Sequence, residues 1–268
     1  MHAANPTAAC GPSDPSVRSI TPISSSSGNV FIFPYPLSYA SVWELQTRLH
    51  CERMSNYRPD TVLLLEHKPV FTMGRGTQQS HWGGNEAALR MNGTDLYRVN
   101  RGGSVTYHGP GQILLYPILQ LIDHAAGPRQ LVSMLEEVAI RLLNLWSIEG
   151  YRIEKQPGVW VFTPEPAKIA SIGIRVERGV TLHGIALNVD MDLTPFHLIR
   201  PCGIADCQIT SMAALRRATF SVDDIKRDFA QMFREIFGLT WPTHRVDAIP
   251  HNLYETIEKT ASAYSAID

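Results

Sequence analysis

Leu131, Leu135, Val138, Leu142 and Leu145 recur at spacings of 4, 3, 4 and 3. That period places apolar side chains on one face of an α-helix. It predicts a helix over residues 129–148, with Gly150 as its C-terminal stop. A second helix is predicted from Ser221, where Asp224 follows three residues on as a capping partner. Val222, Ile225, Phe229, Met232, Phe233 and Ile236 form its apolar face, and Gly238 ends it. A third helix opens near Ser38, with Val42, Leu45 and Leu49 on one side. Between the helices lie short apolar runs of strand length: 31–33 (closed by Pro34 and Pro36), 61–66, 96–99, 113–119, 151–153, 159–161, 169–176 and 180–189. A short strand is expected within the loop 67–76, and a short helix at 86–91 in a polar stretch. Glu177-Arg178-Gly179 reads as the turn of a hairpin. Strands outnumber helices and do not alternate with them, which predicts an α+β fold with a mixed or antiparallel sheet.

Composition narrows the class. The chain has 268 residues, 44% of them hydrophobic, with a formal net charge of -1. A sizeable core is therefore available, and nothing suggests a nucleic-acid partner. No apolar run is long enough to cross a bilayer. Residues 1–29 are rich in Ala, Pro and Ser and are expected to form a disordered arm. The arm lacks the apolar centre of a secretory signal, and with one arginine and an aspartate it makes a poor transit peptide. One folded domain is expected over 30–240, followed by a tail over 241–268 without a legible pattern. The four cysteines, at 10, 51, 202 and 207, do not make a disulfide framework, so a reducing cytoplasmic setting is expected and Cys10 and Cys51 read as incidental. Cys202 and Cys207 have no partners at structural-zinc spacing, and no metal or cofactor is expected.

The chemistry concentrates in Arg101-Gly102-Gly103-Ser104-Val105-Thr106-Tyr107-His108-Gly109-Pro110-Gly111-Gln112. Glycines let a backbone turn tightly and approach a ligand closely. Between them stand a guanidinium, hydroxyls, an imidazole and an amide. The alternative is a plain hairpin turn with a polar surface. Two other stretches carry reactive groups. Lys168 opens a mostly apolar strand, where a solvated strand end is the ordinary reading. Cys202 stands on a bend between Pro201 and Gly203, where a small buried hydrophobe is the ordinary reading.

Together these stretches resemble the octanoyltransferases of lipoate biosynthesis. RGGSVTYHGPGQ, LLLEHKPVFTMG, GVWV, KIASIGIRV and TLHGIALNVDMDLTPFHLIRPCGI follow the family's order near its spacing, over about residues 30–237. Arg200 departs from the small or polar neutral residue usual in the family, which bears on the approach of protein partners. The resemblance implies a biotin/lipoate protein ligase-like fold: a mixed, mainly antiparallel sheet flanked by helices. It implies an acyltransferase that moves octanoyl from acyl carrier protein to a lysine of lipoyl domains, those of dehydrogenase complexes or the glycine-cleavage carrier. Cys202 is then the nucleophile, forming an octanoyl thioester. Lys168 stabilises its thiolate and handles the proton of the incoming amine. Arg101, Gly102, Gly103, Ser104, Val105, Thr106, Tyr107 and His108 line the acyl tunnel, with backbone N–H groups near Gly102 and Gly103, or that of Cys202, as oxyanion donors. His108 orients a wall of the pocket, with proton transfer as the weaker alternative. Ser171, Ile172, Gly173, Gly184, Ile185 and Ala186 contact the acyl chain, and His183 orients the loop. The resemblance leaves other classes open: an ATP-dependent lipoate or biotin ligase, a non-catalytic carrier or lipoyl-domain binding module, or a thioesterase. A monomer is expected, because no coiled coil or exposed apolar stripe is visible.

Overall fold

A computed structural model describes residues 27–201, 207–246, 254, 255 and 257. The N-terminal arm up to residue 26, including Cys10, and the expected nucleophile Cys202 lie outside the described residues. In chain order the elements are β1 (Gly28–Leu37), α1 (Tyr39–Met54), β2 (Asp60–His67), β3 (Val70–Met73), α2 (Glu86–Leu89), β4 (Asp95–Arg98), β5 (Val105–His108) and β6 (Gln112–Ile118). There follow α3 (Pro128–Leu145), β7 (Gly150–Ile153), β8 (Gln156–Phe162), β9 (Pro166–Glu177), β10 (Val180–Asn188), β11 (Gln208–Ile209), α4 (Met212–Arg216), α5 (Val222–Phe237) and β12 (Thr243–Arg245).

The main sheet runs β12-β1-β2-β6-β10-β9-β8-β7, with β11 added beside β9. The β12–β1, β1–β2 and β11–β9 pairs are parallel; the others in this sheet are antiparallel. A small second sheet, β4-β3-β5, stands apart and carries the central motif. This is the mixed, mainly antiparallel α+β arrangement predicted. Among the described residues no helix is long and apolar enough to cross a membrane.

The sheet is covered on both faces, which explains the continuous apolar run of β2. Val62 and Leu64 face α3 and α5 and join Leu131, Leu135, Phe229 and Phe233 in one core. Leu63 and Leu65 face α1 and join Val42, Leu45 and Leu49 in another. A strand buried on both sides has no reason to alternate. Burying each such side chain stabilises the fold by about 1.5–3 kcal/mol. A third cluster, with Phe71, Leu96, Tyr107 and Phe196, lies under the small sheet.

Several local expectations need correction. β1 does not end at Pro34; it continues to Leu37, and a register shift between Ile32 and Pro36 accommodates the prolines. Pro34 falls within that break, and Pro36 rejoins the ladder opposite Glu66. Gly150 does not cap α3. The helix stops at Leu145 with Trp146 as its cap, and Gly150 opens β7. At α5 the structure shows one half of the predicted capping box, Ser221 accepting from the Asp224 N–H, while the Asp224 carboxylate meets Arg227; Gly238 takes the left-handed conformation as predicted. Residues 243–245, in a stretch without a legible pattern, pair with β1 as an edge strand.

Candidate active site

A narrow cavity opens where the 101–108 segment crosses the middle of β9 and β10. It is lined by Arg101, Gly103, Ser104, Val105, Thr106 and His108 from the motif, and by Ser171, Ile172, Gly173, His183, Gly184, Ile185 and Ala186 from the two strands. Tyr39, Leu114 and Tyr116 complete it. Of the residues expected to contact substrate, Gly102 and Tyr107 do not line it. The ring of Tyr107 packs instead on Phe71 and Phe196. The Gly102 N–H donates to the Ile174 carbonyl at 3.0 Å, so it is not an open oxyanion donor.

Close backbone approaches shape the cavity, and glycine makes them. A Cβ on Gly173 would stand 2.9 Å from the Gly102 carbonyl and 3.1 Å from Arg101 Cδ. A Cβ on Gly184 would stand 2.0 Å from the Leu115 carbonyl and 2.8 Å from Pro117 Cδ. Pro117 has no N–H, so β6 offers β10 no donor at that residue. The neighbouring His183 has φ +61°, the left-handed region, inside a strand. Such backbone persists only when its surroundings over-determine it. Here they do: the His183 ring stacks on Trp43 at 4.8 Å, its Nε2 lies 2.8 Å from Asn100 Oδ1, and its N–H donates to Gln46 Oε1 at 3.1 Å. His183 thus holds the residue that precedes Arg101.

Burial sets the charge of the cavity. It pushes the imidazole of His108 down to about 3, with the nearby His67 and Arg101 acting in the same direction. His67, behind it, is pushed down to about 4, also by burial. His183 is lowered well below its ordinary value, again by burial first and then by Arg101. The phenols of Tyr39 and Tyr116 are raised by burial and stay protonated. At neutral pH the wall therefore holds neutral rings and hydroxyls around one guanidinium.

Lys168 lies on β9, three residues before Ser171, and does not line this cavity. Its side chain is buried, with Nζ donating to the Pro157 carbonyl at 3.0 Å and lying 4.7 Å from the Trp160 ring centre. A Cβ on Gly158 (φ +120°) would stand 3.4 Å from Lys168 Cε. The Gly158 N–H is anchored on Glu136 Oε1 at 2.9 Å. The bend leading to Cys202 is tied to the motif through His81. Nδ1 of His81 accepts from the Ser104 hydroxyl at 2.6 Å, and its carbonyl accepts from the Arg200 N–H at 2.7 Å. A second cavity, with Ile199, Arg200, Pro201, Cys207 and Gln208 in its lining, borders both ends of the segment 202–206.

Sequence reasoning missed Tyr39, Leu114 and Tyr116. Each sits among buried apolar neighbours on its element, so local pattern gave no reason to separate it from the core. It also missed Thr72, whose one signal is a polar residue at the centre of the otherwise apolar Val70–Met73 strand.

The chain is similar to known proteins over most of its length. Residues 38–234 match the model of the lipoyl protein ligase A/B catalytic domain. The octanoyltransferase of Thermobifida fusca is 43% identical over 199 residues, covering 71% of this chain and 80% of that protein. The octanoyltransferase of Chloroflexus aggregans is 44% identical over 178 residues, covering 66% and 80%. Among solved structures, the bipartite lipoate protein ligase of Thermoplasma acidophilum, studied with its E2 lipoyl domain, superposes with a TM-score of 0.60 at 12% identity, covering 87% of this chain and 91% of that one. At that identity the likeness concerns the fold.

Proposed function

The chain belongs to the lipoyl protein ligase A/B catalytic-domain family and, within it, to the octanoyltransferases, an acyltransferase group, and from that premise we propose that it moves octanoyl from the thioester of acyl carrier protein to a lysine amine on a lipoyl domain. The observation that carries the reading is the cavity. Val105, Leu114, Ile172 and Ile185 give it apolar walls, with the small side chains of Ser171 and Ala186 between them. A linear alkyl chain suits such a slot, each buried methylene contributing about 0.8 kcal/mol.

In this reading Lys168 takes the proton of the Cys202 thiol, and the thiolate attacks the thioester carbonyl. The C–S bond to the carrier breaks, and the departing thiolate recovers the proton from Lys168. The acceptor amine then attacks octanoyl-Cys202. A C–N bond forms, the C–S bond to Cys202 breaks, and the amine proton passes to Lys168, restoring the ammonium–thiolate pair. The buried setting of Lys168 against Pro157 and Trp160 suits this exchange because it keeps competing water away from the amine.

Intact-protein mass spectrometry after incubation with octanoyl carrier protein tests the proposal. One hydroxylamine-labile octanoyl group is expected on the wild type, none on Cys202→Ala, and slow loading on Lys168→Ala. An unmodified wild type beside intact octanoyl carrier would refute it. ATP-dependent lipoylation surviving in Cys202→Ala would replace it with a ligase.

A further inference from the structure

Thr72 is fully buried at the centre of β3. Its hydroxyl oxygen receives Arg101 Nε at 3.3 Å and Nη2 at 2.9 Å, and Nη2 also donates to the Thr72 carbonyl at 2.7 Å. The same hydroxyl lies 3.2 Å from His108 Nε2. Across the ring, His108 Nδ1 is 2.7 Å from Gln112 Oε1. Gln112 Nε2 donates to Asn188 Oδ1 at 2.8 Å, and Asn188 Nδ2 donates to the Thr210 carbonyl at 2.9 Å. The Thr210 N–H in turn donates to the Lys168 carbonyl at 3.1 Å. Every member of this row is buried.

The row can run in only one direction. A guanidinium only donates and a carbonyl only accepts, so both ends are fixed. The Thr210 carbonyl requires the NH2 of Asn188, which turns Asn188 Oδ1 towards Gln112. Gln112 must then present its NH2 to Asn188 and its oxygen to His108. Nδ1 of His108 therefore carries the hydrogen, Nε2 is bare, and the Thr72 hydroxyl donates to it. Both lone pairs of Thr72 remain for Arg101. Reversing any one member sets like against like, leaving a buried group unsatisfied.

We propose that Thr72, Gln112 and Asn188 are positioning residues, forming a one-way hydrogen-bond relay that locks His108 as its Nδ1–H tautomer, holds the Arg101 guanidinium at the cavity wall, and ties that wall to the strand carrying Lys168. The catalytic part of this rests on the acyl-transfer reading above; the tautomer does not. The ionisable groups facing His108 are His67 from β2, Arg101 from the loop before β5, His183 from β10, and, beside His67, the phenols of Tyr39 and Tyr116. None supplies a negative charge that would protonate the ring, and Gln112 meets it with a neutral amide.

Long-range proton–nitrogen NMR on ring-labelled protein reads the tautomer directly. His108 is expected to keep Nδ1–H and a bare Nε2 from pH 5 to 8. An Nε2–H ring, or a midpoint near 6.5, overturns the relay whether or not the protein transfers octanoyl. Kinetics read the positioning. Thr72→Val is expected to lower kcat for octanoyl transfer about 30-fold, or about 2 kcal/mol at 1.4 kcal/mol per tenfold, with KM for the carrier held within about twofold. Thr72→Ser, which keeps the hydroxyl, should return kcat to within about threefold of wild type. A wild-type kcat in Thr72→Val, or no rescue in a folded Thr72→Ser, overturns the positioning role. Gln112→Glu still accepts from Nδ1 but has no NH2 for Asn188, and it should make His108 titrate near neutrality; an unchanged ring in that variant also counts against the relay. A wild type without octanoyl transfer would sink the functional reading and leave the NMR result standing.

Discussion

Gly111 and Gly83 share a backbone conformation, with φ of +83° and +73°, but not an environment. A Cβ on Gly111 would stand 1.9 Å from the Asp190 carbonyl oxygen, whereas one on Gly83 meets nothing within 4 Å. Gly83→Ala should cost only the left-handed penalty, about 1–2 kcal/mol. Gly111→Ala adds a main-chain clash at the end of β10, where the Gly111 carbonyl accepts from both Val189 and Asp190. We expect it to cost more than about 3 kcal/mol, beyond the usual range for overpacking. Urea unfolding of the two variants checks this, and equal losses would mean that Asp190 yields freely. The same contrast shows what was legible residue by residue. Glycine, proline and polar groups crowded into residues 101–112 announced a special backbone. That crowding marked Gly111 and not Gly83, but nothing local showed that Gly111 is crowded by a strand end far along the chain.

At the scale of elements, one buried ion pair joins parts that periodicity could identify but not arrange. Lys226, on α5, donates to the Phe33 carbonyl and to Glu66 Oε1, both at 2.8 Å. The other oxygen of Glu66 accepts from the Gly111 N–H at 2.7 Å. The last long helix thus reaches through β1 and β2 to the turn of the central motif. Lys226→Met strands a buried carboxylate and should cost about 3–5 kcal/mol, and adding Glu66→Gln should recover part of that. Denaturant unfolding of the two single variants and the pair measures it; strict additivity would show the pair to be uncoupled. Helical period and apolar runs had located most elements to within a few residues, because burial of one face or two leaves a direct trace. The errors came from residues with two uses. Gly150 suits a helix stop and a strand start, and prolines end a strand unless a bulge accepts them. Tyr39 and Leu114 reach the cavity only because sheet order sets α1 and β6 beside β10, and pairing between distant strands leaves no local mark.

For the whole molecule, buried neutral histidines set the response to acid. His67 and His108 are pushed down to about 4 and about 3 by burial, whereas an unfolded histidine titrates near 6.5. Below pH 6.5 the unfolded chain takes up protons that the folded protein refuses. The stabilisation is therefore complete above 6.5 and declines as pH falls towards 4 and then 3, by up to about 1.4 kcal/mol per pH unit for each ring. Thermal unfolding should give a level Tm from pH 7 to 8 and a falling one from 6.5 to 4; a level Tm throughout would mean that the rings accept protons in place. The sheet order has a further consequence, for synthesis on the ribosome. β1 finds its inner neighbour β2 almost at once, but its outer neighbour β12 is the last described strand to emerge. Until residues 243–245 are made, the nascent chain carries the apolar Val30-Phe31-Ile32-Phe33 strand with one open edge, the kind that recruits other strands. Translation paused or cut short before Thr243 should therefore yield a chain with most of its cavity already built, yet prone to stick to its neighbours.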